Sequence, residues 1–206
     1  MSLLVTSKII EMKKSSNSKA KPTTSKAGFE SEAPKSVVGG NSASDAPFFL
    51  FYSKESPFSQ HHPSQFTIDG VVFNCAEQYM MYSKAVIFED DEMKSKILAS
   101  TNPQEQKRFG RKVSNFVKEV WDSECENVVK RASLAKFEQN QNLREELFKT
   151  FPKTLVEASP RDRIWGIGLG ASHPKAQDKK AWRGKNKLGY ILTQVRDELM
   201  KKCLFE

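Results

Sequence analysis

One acidic residue, Glu77, stands where two predicted elements meet. The run from Asn74 to Tyr79 follows a hairpin pattern and opens an amphipathic helix, which places Glu77 in the first helical turn. Two interpretations are open. Asn74 and Glu77 have the spacing of a capping box, in which the carboxylate stabilises the start of the helix. Alternatively, Glu77 is a catalytic carboxylate at the mouth of a cleft, with Lys84 two turns further along the same helix.

Two further segments could bind phosphate. Arg111 follows a glycine at a predicted helix end, where it either completes a common C-terminal arrangement or clamps a phosphate by paired hydrogen bonds. Residues 161–190 contain eight Lys or Arg, only two acids and five of the ten glycines, including Gly166 and Gly168. Cationic side chains beside closely approachable backbone suit a phosphate, and a solvated flexible loop is the alternative.

Trp165 lies in the same segment, between Asp162 and a Gly-x-Gly stretch. A tryptophan between an acidic turn and a Gly-x-Gly stretch is hard to explain by core packing alone. The face of its ring could instead stack on a nucleobase. The Gly-x-Gly lacks the strand-turn-helix context of a dinucleotide fingerprint, and no P-loop is present. The three histidines and three cysteines have no metal-ligand or disulfide spacing, so we expect solvated loop histidines, no metal site and no cofactor.

The elements that must position these residues are mostly helices. Asp69-Gly70 marks a hairpin between two short strands, and the spacing predicts an amphipathic terminal helix. The fold class is therefore α+β, a compact, mostly helical single domain with a small sheet and hairpin. The predicted elements are strands at 48–52, 65–68, 71–73 and 155–157, a strand or extended segment at 164–167, and helices at 75–88, 91–99, 102–110, 117–140, 143–151 and 188–202.

The chain has 206 residues and a formal charge of +8. Residues 1–45 are rich in Ser and Lys and predict a disordered tail, whereas 46–206 predict one domain. Most of the remaining positive charge lies in 161–190 and not over the whole domain, which favours gripping a small phosphorylated ligand over a broad nucleic-acid footprint. No apolar run is long enough for a membrane helix. We expect an intracellular protein, in the cytoplasm, with the nucleus as the alternative.

Several motifs in a fixed order resemble the NADAR, or YbiA-like, family of N-glycosidases. The resemblance runs from about Phe49 to Leu199 and leaves out the tail. Its most specific pieces are Ala76-Glu77-Gln78-Tyr79, Gly110-Arg111, Ala135-Lys136-Phe137 with Asn142-Leu143-Arg144, the run 155–168 around Trp165-Gly166-Ile167-Gly168, and Trp182-x-Gly184-x-Asn186-x-Leu188-Gly189.

The resemblance implies the hydrolysis of N-glycosyl bonds. Members of the family cleave a base from a phosphorylated ribose in riboflavin-pathway intermediates, and others remove ADP-ribose from modified guanine in nucleic acid. On this resemblance Glu77 is the catalytic residue, and Trp165 and Trp121 belong to the active site, although the spacing of Trp121 also fits a core stripe. The remaining substrate-binding positions are Lys84, Arg111, Asp162, Gly166, Gly168 and Asn186.

Three departures from the family pattern are visible. Gln78 replaces the His usual in bacterial members, and Gln60 replaces an Asn. Ile167 stands where some members carry an acid, which puts the riboflavin-type substrate in doubt, and Asp162 either takes part of that role or caps a turn.

The sequence thus predicts an N-glycosidase acting on a phosphorylated ribosyl or ADP-ribosyl small molecule, or on ADP-ribosylated nucleic acid. The alternatives are a non-catalytic nucleotide or ADP-ribose-binding module, which would bind without releasing base, and a basic nucleic-acid-binding protein, whose affinity would fall steeply with salt.

Overall fold

The computed structural model describes residues 46–204, and the predicted tail at 1–45 lies outside them. The elements in chain order are β1 (Phe48–Phe51), β2 (Phe66–Ile68), β3 (Val71–Phe73), α1 (Ala76–Ile87), α2 (Asp91–Ala99), α3 (Pro103–Gly110), α4 (Lys118–Gln139), α5 (Gln141–Phe148), β4 (Thr154–Glu157) and α6 (Lys187–Lys202). Helices dominate and the strands are short, so the α+β prediction is confirmed.

Two pairs of strands form the sheets. β1 and β4 run parallel, with Phe48 opposite Thr154 and Phe51 opposite Glu157. β2 and β3 form an antiparallel hairpin. The hairpin loop is Asp69-Gly70, and both residues have positive φ, +50° and +77°. Two positive φ values in a two-residue loop match the right-handed twist of the strands, which explains why Asp-Gly predicted this turn.

The helix boundaries follow local capping chemistry. Asp90 accepts a hydrogen bond from the Met93 N–H at the start of α2, and Asn102 accepts one from the Gln104 N–H at the start of α3. Pro103 occupies the first turn of α3, where its missing N–H is not needed. These signals explain the close agreement between predicted and observed helices.

The main apolar core lies between α1, α4, α6 and the β1–β4 pair, with Val129, Phe137 and Leu155 fully buried. The hairpin packs on α1 through Phe73 and Tyr79. The 3₁₀ turn Lys179–Ala181 precedes Trp182, which covers a third apolar group around Val156 and Ile167. No helix within the described residues is long and apolar enough to cross a bilayer.

The sequence predicts a strand or an extended segment at 164–167, and the structure has no strand there. Residues 161–168 form a series of bends, because most of their backbone bonds go to residues 183–188, while the Ile167 N–H donates to the Glu157 carbonyl at the end of β4. The N–H groups of Arg183, Asn186 and Leu188 donate to the carbonyls of Ile167, Gly166 and Trp165 at 2.9–3.1 Å. The basic segment is therefore pinned by hydrogen bonds, contrary to a freely solvated loop.

Candidate active site

A cleft of about 830 Å³ opens between the start of α1, the turn before β2, the end of α3 and the segment after β4. Three carboxyl groups line it, those of Glu77, Glu157 and Asp162. The apolar lining includes Met80, Met81, Ile164, Trp165 and Leu188. The cleft therefore places acidic groups, an aromatic face and apolar surface around one space large enough for a nucleotide-sized ligand.

Glu77 does not cap its helix, so the capping-box interpretation is wrong. Cys75 is the N-cap residue and makes no side-chain capping bond. Gln78 takes the expected position instead, and its Oε1 accepts the Asn74 N–H at 2.8 Å. The Gln78 amide also donates to carbonyls at the end of α2, including that of Ile97 at 3.0 Å. The carboxylate of Glu77 thus stays in the first helical turn but makes no capping hydrogen bond.

The environment of Glu77 is unusual for a buried carboxylate. Its Oε2 lies 3.5 Å from the Nε2 of His61, whereas its Oε1 is buried and has no hydrogen-bond partner among the described residues. The neighbouring Gln60 Oε1 is likewise a buried acceptor without a donor there. Such groups are rare in folded proteins because leaving a buried acceptor unpaired is costly. Two adjacent orphan acceptors indicate a place that receives hydroxyl or amino donors from a ligand.

His61 belongs to the cleft, and its assignment to a solvated loop is wrong. The turn that carries it docks on α1, because the Glu77 N–H donates to the Gln60 carbonyl at 3.0 Å. This contact brings the imidazole to the carboxylate across sixteen sequence positions, which local spacing could not reveal. The pair can pass a proton between the buried carboxylate and the cleft mouth.

Lys136 of α4 bonds to the same turn, the one that carries His61. The side chain is 2% exposed, and its Nζ donates to the carbonyl of Ser59, a cleft residue, at 3.0 Å. Burial lowers the pKa of Lys136 to about 7. Burial also raises the pKa of the nearby Cys75 thiol to about 11, so that cysteine is a poor nucleophile.

Five cationic side chains line the cleft together with the carboxyl groups, and none of them forms an ion pair with another described residue. By contrast, lysines elsewhere on the described surface, such as Lys130 with Glu198 and Lys187 with Glu126, do form such pairs. Cations left unpaired around a concave surface suit an anionic ligand such as phosphate. The cleft cations are Lys54, Lys107, Arg111, Arg161 and Arg163.

Residues 48–200 match the family model described as the NADAR domain. The chain belongs to the NADAR family. Protein irg-1 of Caenorhabditis elegans is 40% identical over 175 residues, which cover 77% of this chain and 82% of irg-1. N-glycosidase R617 of Acanthamoeba polyphaga mimivirus is 40% identical over 146 residues, covering 68% of this chain and 86% of the viral protein.

A solved structure also resembles this fold. N-glycosidase YbiA of Escherichia coli is 34% identical over 152 residues, covering 72% of this chain and 86% of YbiA. The NMR structure of YbiA matches with a TM-score of 0.65 and 30% sequence identity, over 78% of this chain and 89% of YbiA. The predicted NADAR resemblance is therefore confirmed in sequence and in fold.

Four residues that the NADAR resemblance assigned to the site line the cleft, namely Glu77, Arg111, Asp162 and Trp165. Asp162 holds the turn below the tryptophan, since its Oδ1 accepts the N–H groups of Ile164 and Trp165, both at 2.8 Å. Of its two predicted roles, Asp162 thus performs the turn-capping one while its side chain still borders the cleft.

Lys84 and Trp121 lie in a neighbouring cluster and do not line this cleft. The Nζ of Lys84 is 4.1 Å from the ring centre of Phe116 and 5.7 Å from that of Trp121. Burial, and then the charge of Arg111, lowers the pKa of Lys84. Trp121 also packs against the main core, as its helical spacing allowed. Substrate contact by these two residues stays a prediction.

Gly166, Gly168 and Asn186 lie behind the cleft wall and are also not among its lining residues. A Cβ on Gly166 would lie 2.8 Å from the carbonyl oxygen of Glu157, so the glycine permits close packing of backbone there. The buried amide of Asn186 accepts the Glu157 N–H at 2.9 Å and donates to the Leu155 carbonyl at 3.0 Å. These residues fix the end of β4, and their direct contact with substrate stays a prediction.

The departure at Ile167 does not alter the cleft. Its side chain is completely buried in the third apolar group, with Val156 and Leu169, and faces away from the lining residues. An isoleucine there therefore removes no acid from the cleft of this chain. Glu157 is the cleft acid that the sequence reasoning overlooked; the available signal was a single acid ending an apolar strand. Within residues 46–204, no group of three or more His, Cys, Asp or Glu could hold a metal ion.

Proposed function

We propose that this NADAR protein is an N-glycosidase that hydrolyses the bond between a nucleobase-like group and a phosphorylated ribose or ADP-ribose. The single observation that carries the proposal is the buried Glu77 carboxylate, with one oxygen unpartnered, facing a cleft rimmed by unpaired cations. The names of the relatives R617 and YbiA, both called N-glycosidases, support the same class of reaction.

Cleavage of a ribosyl C1′–N bond develops positive charge on the sugar as the base departs. A carboxylate beside C1′ stabilises that charge and can take a proton from the attacking water. Glu77 suits this role because it lines the cleft, its Oε1 has no hydrogen-bond partner among the described residues, and the Nε2 of His61 lies 3.5 Å from its Oε2, where it could relay the proton. The unpaired acceptors of Gln60 and Glu77 suit ribose hydroxyl donors.

The remaining cleft groups suit the rest of such a substrate. Trp165 offers an aromatic face for the base. Arg161 and Arg163 stand on one wall, Lys107 and Arg111 on another, and guanidinium groups bind phosphate oxygens in pairs. Candidate substrates are phosphoribosyl intermediates of the riboflavin pathway and ADP-ribosylated guanine, free or in nucleic acid.

The test is incubation of the full chain with an early phosphoribosyl riboflavin intermediate and with ADP-ribosylated guanosine, with released base measured by mass spectrometry. We expect release by the wild type and a loss of at least about 100-fold in Glu77→Gln. Glu124→Gln, at an exposed glutamate without an ion pair among the described residues, is the matched control and should retain full activity.

Two outcomes would contradict the proposal. Equal release by wild type and Glu77→Gln would show that Glu77 is not the catalytic carboxylate. Ligand binding without any base release by the wild type would favour the binding-module alternative.

A further inference from the structure

Glu157 is held in a fixed position at the cleft. It is the last residue of β4, and both of its backbone groups are engaged: the N–H donates to Asn186 Oδ1 at 2.9 Å, and the carbonyl accepts the Ile167 N–H at 3.0 Å. Its side chain lines the same cleft as Glu77. The carboxyl group is thus presented to the cleft from a rigid strand end, on a different element from the one that carries Glu77.

The surroundings keep this carboxyl group protonated at neutral pH. Burial, the largest cause, and the negative charge of Asp162 both raise the pKa of Glu157, the positive charge of Lys107 partly offsets them, and the net result is a pKa of about 8. A protonated carboxyl group donates a hydrogen bond or a proton, which an ionised one cannot do. The other charged or titratable groups that line the cleft are Tyr52, Glu77, His61, Lys54, Arg111, Arg161 and Arg163.

The two other cleft acids have different duties. Asp162 uses its Oδ1 to hold the turn before Trp165. Glu77 pairs with His61 and is placed to receive a proton. Carboxyl groups whose environments differ in this way commonly divide into an acid and a base. Glu157 is the one whose proton is free to be given to a ligand.

We propose that Glu157 is the general acid of this cleft and donates its proton to the base as the C1′–N bond breaks. The inference rests on the proposed N-glycosidase function. The C1′–N bonding pair moves to the base nitrogen, which takes the proton of Glu157. Water adds its oxygen to C1′ and gives one proton to Glu77. Afterwards Glu77 releases that proton to solvent and Glu157 takes one up, so free base and ribosyl product account for all atoms.

The test is the dependence of kcat on pH, measured with whichever of the two named substrates the wild type cleaves. We expect wild-type kcat to fall as pH rises through about 8, because Glu157 then loses its proton. Glu157→Gln should lower kcat by about 100- to 10,000-fold at pH 7. The fall in kcat above about pH 8, the descending limb of the pH profile, should be absent in this variant. Glu124→Gln should leave both unchanged.

Two further variants keep the test decisive if Glu157→Gln folds poorly. Asp162→Asn retains an acceptor oxygen for the turn but removes the like charge, so the limb should move to lower pH. Lys107→Gln removes the opposing charge, so the limb should move to higher pH. A purely structural Glu157 would not shift the limb in opposite directions.

The outcomes separate the two proposals. No base release by the wild type refutes the N-glycosidase function and this step with it. Base release that persists in Glu157→Gln, or a limb that stays in place in both charge variants, refutes the general-acid role alone.

Discussion

The buried lysine beneath the cleft predicts a specific dependence of stability on pH. Lys136 is 2% exposed, and its Nζ donates a hydrogen bond to the Ser59 carbonyl. Burial lowers its pKa from 10.5 to about 7. Between these two values the unfolded chain binds one proton more than the folded chain, so this residue makes stability rise with pH. Below pH 7 both states are protonated and the dependence ends.

The magnitude follows from these two values. Proton linkage gives a rise in the free energy of unfolding of about 2 kcal/mol between pH 7 and pH 9. Lys136→Met removes the titrating group while roughly retaining its apolar stem, so the variant should lack this rise. Glu157 titrates in the same range but is present in both proteins, and it therefore cancels in the difference.

The assay is urea unfolding of wild type and Lys136→Met at pH 7, 8 and 9, followed by tryptophan fluorescence and far-ultraviolet circular dichroism. Lys112→Met, at an exposed lysine, is the matched control and should run parallel to the wild type. Parallel stability curves for wild type and Lys136→Met would refute the reasoning, because the ammonium group would then titrate alike in the folded and unfolded chains.

Three further predictions concern a cleft residue, a buried amide and two cysteines. Arg163→Ala should raise KM by about 10- to 100-fold, because it removes charge-assisted hydrogen bonds to phosphate. Arg131, which pairs with Asp69 outside the cleft, provides the control, and Arg131→Ala should not change KM. Asn186→Ala should lower the free energy of unfolding by about 2–5 kcal/mol in urea titrations, since it leaves two buried backbone groups unpaired, and an unchanged midpoint would contradict this. A thiol reagent at pH 8 should label Cys203 in the folded protein and spare buried Cys75, as peptide mass mapping would detect.

Local patterns in the sequence predicted most of the secondary structure. Asp69-Gly70, Asn102-Pro103 and the apolar spacing of α4 each depend on neighbours within a few positions, and the structure follows them closely. The same locality explains the error at Glu77. The capping-box spacing considers one helix end only, whereas in the structure Gln78 accepts the Asn74 N–H and the Glu77 N–H donates to Gln60, a residue of another turn.

The site itself depends on contacts between distant segments, which spacing cannot encode. His61 meets Glu77 only because the turn before β2 docks on α1. The basic segment 161–190 was expected to grip phosphate as a unit, but only Arg161 and Arg163 of its cations reach the cleft, while Lys187 pairs with Glu126. The resemblance to the NADAR family named Glu77 and Trp165, which both line the cleft, where composition alone left each of them ambiguous.

The parallel pairing of β1 with β4 has a consequence for folding. These strands lie roughly a hundred residues apart in the chain, so their contact closes a long loop and is expected to form late. Tyr52 after β1 and Glu157 at the end of β4 both border the cleft, which therefore exists only once that loop is closed. A ligand that touches both walls favours the closed loop over its open form. Occupancy of the cleft should accordingly slow unfolding, and substrate would protect the chain that turns it over.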